Sequence, residues 1–218
     1  MSLAFLSVTP GAAVARSPME RLARAAGGVF EERDGWSVAT SFGAVVAERS
    51  RIAQTVGFAD RSWMRKFELR TGAGTAAAGD GSLAPATMEA FGTATRTADG
   101  GWRCPVTPER TLLLGGREPL VDDALDLTCA HAALELAGPL AGECLARFCA
   151  IDVRPSVLPV GGFRPGSVAR TPGYLLRTRP DALLILTGWA YGEYLWETVA
   201  TAAQRLGGGP VGTEALDA

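Results

Sequence analysis

Polar and apolar positions alternate most sharply over residues 63–70, where Trp63, Arg65, Phe67 and Leu69 take one parity and Met64, Lys66, Glu68 and Arg70 the other. A period of two predicts a strand with one mostly apolar face and a second face carrying Met64 and three charges. Just before it, Val45, Ile52, Ala53 and Val56 recur at helical spacing with Glu48, Arg49 and Arg51 between them. That pattern predicts a helix over 44–56 with Gly57 as its left-handed C-terminal residue. A shorter helix over 18–26, with Ser17 as N-cap and Pro18 at the first helical position, makes residues 1–35 a docked arm.

Further along, residues 92–97 and 102–106 flank Asp99-Gly100-Gly101 and read as a hairpin, and 111–114 reads as another strand. Residues 72–81 leave a short helix open. The stretch 124–136 is β-like and runs into a Gly138-Pro139 helix start, with Leu140, Cys144, Leu145 and Phe148 as the buried face. Pro155 and Pro159 hold an extended connection. Strands follow at 167–170, 174–177 and 182–187, then a helix over 191–206 expected to bury Tyr191, Leu195, Val199, Ala202 and Leu206. The fold class is α+β, antiparallel sheets with helices packed on them. The expected division is an arm at 1–35, a first lobe at 36–118, a second lobe at 119–207 and a flexible, glycine-rich tail at 208–218.

Composition narrows the function without naming it. At 218 residues the chain buries a core without needing disulfides or metals, and its net charge of −2 is dispersed, with no basic run for nucleic acid to track. Cys104, Cys129, Cys144 and Cys149 form no C-x-x-C pair and His131 is the single histidine, so no metal site is expected. Four free thiols in a reducing cytoplasm are the expectation. His131 alternates with small apolar residues and is expected to be a hydrogen-bonded, half-buried histidine. No segment reads as a signal peptide or a membrane helix, so the chain is expected to be cytoplasmic.

No nucleophile elbow, P-loop or dinucleotide fingerprint is present. Asp122 and Asp123 are expected to be solvated loop carboxylates. Asp60-Arg61 leaves two readings open, a pair at the mouth of a site or an ordinary salt bridge at a strand start. No catalytic residue is assigned.

Two stretches carry a family resemblance. VGFADRSWMRKFEL at 56–69 and AHAALELAGPLA at 130–141 look like the folate-binding aminomethyltransferase fold of the glycine cleavage T-protein. There a helix ends in a Gly-Leu-Phe-Asp-x-Ser-His-Met strand, and a later strand runs into a Gly-Pro helix start. FCAIDVRPSVLPVG at 148–161 and GEYLWETVATAA at 192–203 bring the likeness closer to the gamma subunit of heterotetrameric sarcosine oxidase, over residues 35–207.

The resemblance implies two T-protein-like lobes without the final β-barrel domain. It also implies departures from transfer chemistry. The T-protein Asn-Asp step has no match in GAGTAAAGDGSLAP, where Asp80 lies outside the motif, and its Tyr-Thr-Gly-Glu step is replaced by VARTPGYLLRT, which keeps Arg170 and Thr171 but no glutamate. Ser62-Trp63-Met64 loses the family histidine and keeps the methionine. The favoured expectation is therefore an accessory, non-catalytic subunit beside larger flavoprotein subunits, with Trp63 and Trp189 as interface candidates or core residues. The competing expectation is a free-standing tetrahydrofolate-dependent one-carbon transferase or folate-binding protein, with Asp60, Met64 and Arg170 as folate-binding candidates. A homodimer with a structural role is the third.

Overall fold

Three sheets and five helices make up the regular structure in a computed structural model that describes residues 13–70, 91–117 and 124–217. In chain order the elements are β1 (Ala15–Arg16), α1 (Glu20–Ala25), β2 (Val29–Arg33), β3 (Trp36–Ser41), α2 (Val45–Gln54), β4 (Gly57–Asp60), β5 (Lys66–Arg70), β6 (Thr95–Arg96) and β7 (Trp102–Thr107). They continue as β8 (Arg110–Leu114), β9 (Leu125–Asp126), β10 (His131–Ala137), α3 (Ala141–Ala146), β11 (Phe163–Val168), β12 (Thr171–Arg179), β13 (Ala182–Gly188), α4 (Gly192–Gln204), β14 (Gly209–Pro210) and α5 (Thr213–Leu216). The mixed α+β class matches the sequence pattern.

A six-stranded sheet in the order β11-β12-β13-β10-β4-β14 forms the centre. The β10–β13 register pairs Ala133 with Leu186 and Leu134 with Ile185, which sends alternate residues to opposite faces. Ala132, Leu134, Leu136, Leu183 and Ile185 pack with Leu145 of α3 and Leu195, Trp196 and Val199 of α4. On the other face Ala133, Leu184 and Leu186 meet Trp102, Leu112 and Leu114 from the five-stranded sheet β6-β7-β8-β5-β9. A strand covered on both sides needs apolar residues at both parities, which is why β13 reads as one continuous hydrophobic run.

Several local expectations change. Helix α2 turns Val45 and Ile52, both partly buried, onto an apolar cluster, while Ala53 of the expected stripe is exposed and Glu48 is the one fully buried residue of the helix. The Glu48 carboxylate accepts the backbone N–H of Phe42 at 2.6 Å and of Gly212 at 2.7 Å, so a charge-assisted brace fixes this helix. Gly57 is not a left-handed cap; α2 ends at Gln54 with Thr55 as its C-cap, and Gly57 opens β4. In α4, Leu195, Val199 and Ala202 are buried as expected, while Tyr191 precedes the helix in a 3-10 turn and is 46% exposed. Trp196, set edge-on to Phe58 at 5.0 Å, completes the buried stripe.

The segment expected as a flexible tail is packed. β14 pairs in parallel with β4, and Ala215 and Leu216 of α5 join Ala59, Ala137 and Ala182 in a third apolar cluster. The glycines there serve close approach: a Cβ on Gly208 would lie 2.3 Å from the Val56 carbonyl oxygen, and one on Gly212 would lie 1.9 Å from that of Thr40. The strand pairings β4–β10 and β5–β9 both cross the expected boundary at 118/119, so each of these sheets draws on residues from both sides of it. β3 is likewise flanked by β1 and β2 from the expected arm. The proposed short helix at 72–81, along with Asp80, Asp122 and Asp123, lies outside the described residues.

Candidate functional site

The charged face of β5 points inward. Cross-strand partners share a face, and Lys66 and Glu68 are opposite Leu114 and Leu112, which belong to the core between the two larger sheets. Lys66 and Glu68 are accordingly 0% and 1% exposed. The Lys66 ammonium donates to the carbonyls of Ser62 and Met64, each at 2.8 Å, and of Thr128 at 3.3 Å, which occupies all three of its N–H groups. Burial pushes this amine down to about 8, against the opposing pull of the Asp60 carboxylate.

Asp60 accepts the Ser62 N–H at 2.8 Å and hydrogen-bonds the Ser17 side chain. Burial raises its carboxyl above the ordinary range, against those hydrogen bonds and the charge of Lys66. Ser62 in turn accepts the Ala133 N–H at 3.1 Å and stitches the turn to β10. Asp60 does not pair with its neighbour. Arg61 reaches Glu135 at 3.0 Å and clamps Asp217 near the C-terminus, while Glu135 also meets Arg179 at 3.4 Å.

Beside Lys66, the Glu68 carboxylate receives Arg110 at 2.5 Å and Arg70 at 2.7 Å, and its hydrogen bonds with these arginines hold it below the usual carboxylate range. Arg110 also interacts with Tyr174, whose ring stacks on Phe163 at 5.6 Å and takes His131 edge-on at 5.7 Å. Burial lowers the His131 imidazole below its ordinary value, against a hydrogen bond with the Thr187 backbone. His131 is half-buried as expected, but its Nδ1 is buried without a hydrogen-bond partner. This seam of Lys66, Glu68, Arg110, Tyr174 and His131 is ordered polar chemistry, yet its acid and its amine are saturated by protein partners.

The three folate-binding candidates lie on different elements. Asp60 is turned toward Ser17 at the foot of α1, whereas Met64 packs into the core between the sheets. Arg170 sits in the two-residue turn from β11 to β12, exposed, at φ 61° beside Ala169 at φ 50°. It was expected inside a strand; its backbone instead supplies the left-handed geometry of a tight hairpin turn. β12 and β4 are separated by β13 and β10, which puts about 14 Å between their axes at ordinary strand spacing. Trp63 and Trp189 are both half-buried. The Trp63 indole N–H has no partner and Arg61 lies 5.5 Å over its ring, while Trp189 meets Trp36 at 6.2 Å.

Among the described residues the surface clefts include two of similar size. One of about 550 Å³ runs between α3 and α4, lined by residues that include Arg147, Phe148 and Tyr194. The other, of about 600 Å³, lies between Gly138–Ala146 and the 149–155 connection and reaches Arg177. Sequence reading singled out neither Lys66, Glu68 nor Arg177 as buried. For Lys66 a signal was available, since a lone lysine in an arginine-rich chain occupies a position where a compact three-donor ammonium fits. Among the described residues no cluster of histidine, cysteine and acidic side chains could hold a metal, and no helix is long and apolar enough to cross a membrane.

No protein-family model matches the chain, and no curated protein matches it. Solved structures do. A chain of heterotetrameric sarcosine oxidase from Corynebacterium sp. U-96, in complex with pyrrole 2-carboxylate, superposes with a TM-score of 0.64 at 24% identity, covering 88% of this chain and 96% of that one. Glycine cleavage system aminomethyltransferase T from Bartonella henselae superposes with a TM-score of 0.71 at 17% identity, covering 94% of this chain. The chain spans 61% of that aminomethyltransferase's length. The chain therefore has a T-protein-like fold and is structurally related to both.

Proposed function

We propose that this chain, sharing its fold with the aminomethyltransferase and with a chain of heterotetrameric sarcosine oxidase, is an accessory, non-catalytic subunit of an oxidase of N-methyl amino acids. In this reading larger partner subunits carry the flavin and the folate chemistry. The observation that carries it is the reciprocal coverage with the sarcosine oxidase chain, 88% of one against 96% of the other, which makes the two chains comparable in length as well as fold. In this reading these residues correspond to the T-protein lobes.

The interior supports the same reading. Trp102, Leu112, Leu114, Leu184 and Leu186 pack the space between the two larger sheets, and Lys66 and Glu68 are bound to protein groups. Asp60 is hydrogen-bonded to Ser62 and Ser17, and Met64 packs toward the inter-sheet core, so both are engaged within the chain. Trp63, half-buried with Arg61 over its ring, is one interface anchor in this reading. Trp189 is the second. Four free cysteines suit a cytoplasmic subunit.

The test is to purify tagged chain from its source cells and record the absorbance of whatever accompanies it, while titrating the isolated chain with tetrahydrofolate and following tryptophan fluorescence. A co-purifying flavin spectrum that is lost with Trp63→Ala, together with no saturable fluorescence change, is the expected outcome. Saturable micromolar binding of tetrahydrofolate by the isolated chain would instead establish a folate-binding protein and overturn the reading.

A further inference from the structure

The cleft that reaches Arg177 contains a cation without an anion. Arg177 is 4% exposed, and its guanidinium donates to three backbone carbonyls: Nε to Leu158 at 2.7 Å, one terminal nitrogen to Pro180 at 2.6 Å, and the other to Val153. Among the described residues no carboxylate forms an ion pair with it. A guanidinium has five N–H donors, so one N–H on each terminal nitrogen has no protein acceptor here. Those two nitrogens are the pair that grips a carboxylate in a fork.

The surroundings describe the rest of a ligand. The cleft's volume of about 600 Å³ falls within the roughly 300–1,000 Å³ of small-molecule sites, and Pro139, Ala146, Ile151 and Val153 give it an apolar wall. Two carboxylates lie on the same cleft. Asp152 is neutralised by Arg154 at 2.6 Å, and Asp181 is exposed at the rim, where water screens it. Burying a charge whose partners are only carbonyl dipoles is costly unless something supplies the counter-charge. The carbonyls fix the guanidinium in place, and of the carboxylates only Asp181 acts on it, through space and without a hydrogen bond.

We propose that this cleft binds a small organic monocarboxylate with an apolar body, the carboxylate held by the terminal nitrogens of Arg177 and the body laid along Ile151 and Val153. The site goes beyond the subunit reading and stands independently of it. Wall and anchor divide the work: apolar contact favours an acyl or aryl chain over a bare anion, and the planar fork favours carboxylate over alcohol.

The chain has three isoleucines, Ile52, Ile151 and Ile185, and of these Ile151 alone lines the cleft, so a methyl NMR spectrum of isoleucine-labelled full chain reads the site directly. Titration with hexanoate is expected to shift the Ile151 signal saturably while Ile185, fully buried in the helix-facing core, stays fixed. Hexanol and inorganic phosphate, which each lack one half of the ligand, are expected to bind at least tenfold more weakly. Arg177→Gln is expected to weaken hexanoate at least tenfold. Should that variant fail to fold, Ala150→Phe, at an exposed cleft residue, plugs the site without touching the core and is expected to abolish the shift. Absence of a saturable Ile151 shift, equal binding of hexanol or phosphate, equal movement of all three isoleucines, or full binding by Ala150→Phe would each overturn the proposal.

Discussion

β5 and β13 are both nearly sealed from water, yet one carries Lys66 and Glu68 and the other reads Ala-Leu-Leu-Ile-Leu-Thr-Gly. β13 lies between β12 and β10, with helices over one face and the five-stranded sheet against the other, so either parity meets hydrocarbon. β5 turns its polar parity toward the same inter-sheet core, and each polar group there finds partners of its own: three carbonyls for Lys66 and two arginines for Glu68. An apolar strand is held by area alone. A strand with buried charges is held by area plus a specific register, because a slip of one residue would strand both ions in the wrong layer.

The largest effect expected from this contrast lies in β13. Leu186 is fully buried opposite Ala133 and Tyr174, and Leu186→Ala should destabilise the chain by about 3 kcal/mol through lost transfer energy and a residual cavity. Urea melts should show a lower midpoint at unchanged slope. A loss below about 1 kcal/mol would show that the inter-sheet core collapses to fill the gap, and that this region is looser than the packing implies.

The second expected effect tests whether β5 uses its lysine or merely tolerates it. Lys66→Met keeps the length of the side chain and removes the three donors, which leaves the carbonyls of Ser62, Met64 and Thr128 short of a partner; a loss of about 2 kcal/mol is expected. Unchanged or raised stability in the same urea melts would mean that the desolvation of the ammonium outweighs its bonds, and the two strands would then differ in composition but not in logic.

The same contrast explains what could be read from the sequence. Runs such as 182–187, and the Leu195, Val199 and Ala202 stripe of α4, were legible because hydrophobic period reports burial directly. The direction of the charged face of β5 was not, since alternation shows that two faces differ but not which one meets a partner; only the β5–β8 pairing settles it. The packed tail was missed for a related reason: glycine is read locally as freedom, whereas Gly208 and Gly212 are required by backbones that approach from the distant Val56 and Thr40. Asp60 and Met64 are near neighbours in the chain, but that one meets Ser17 and the other the inter-sheet core, and that β12 lies three strands from β4, are properties of sheet order, which no motif in the segment encodes.

The smallest expected effect is a pH dependence that belongs to β5 and has no counterpart in β13. Burial holds Lys66 at about 8 in the folded chain, below the ~10.4 of an exposed lysine, so between those values the unfolded chain binds more protons than the folded one. Stability must then rise with pH in that window, the folded state having already released the proton it was reluctant to bury. From about pH 8 upward, as an exposed thiol of pKa ~8.5 begins to ionise, the buried thiols oppose the trend. Cys144 is pushed up to about 11 and Cys149 in the same direction, so the folded chain retains protons that the unfolded chain loses. Because that opposition overlaps the window, the Lys66 contribution is read as the difference between wild type and Lys66→Met, about 1 kcal/mol of unfolding free energy between pH 8 and 9. Lys66→Met should remove that increment and leave the opposing trend of the thiols intact. An identical pH profile in wild type and variant would place the Lys66 ammonium in contact with water, and the seam between the sheets would then be open rather than sealed.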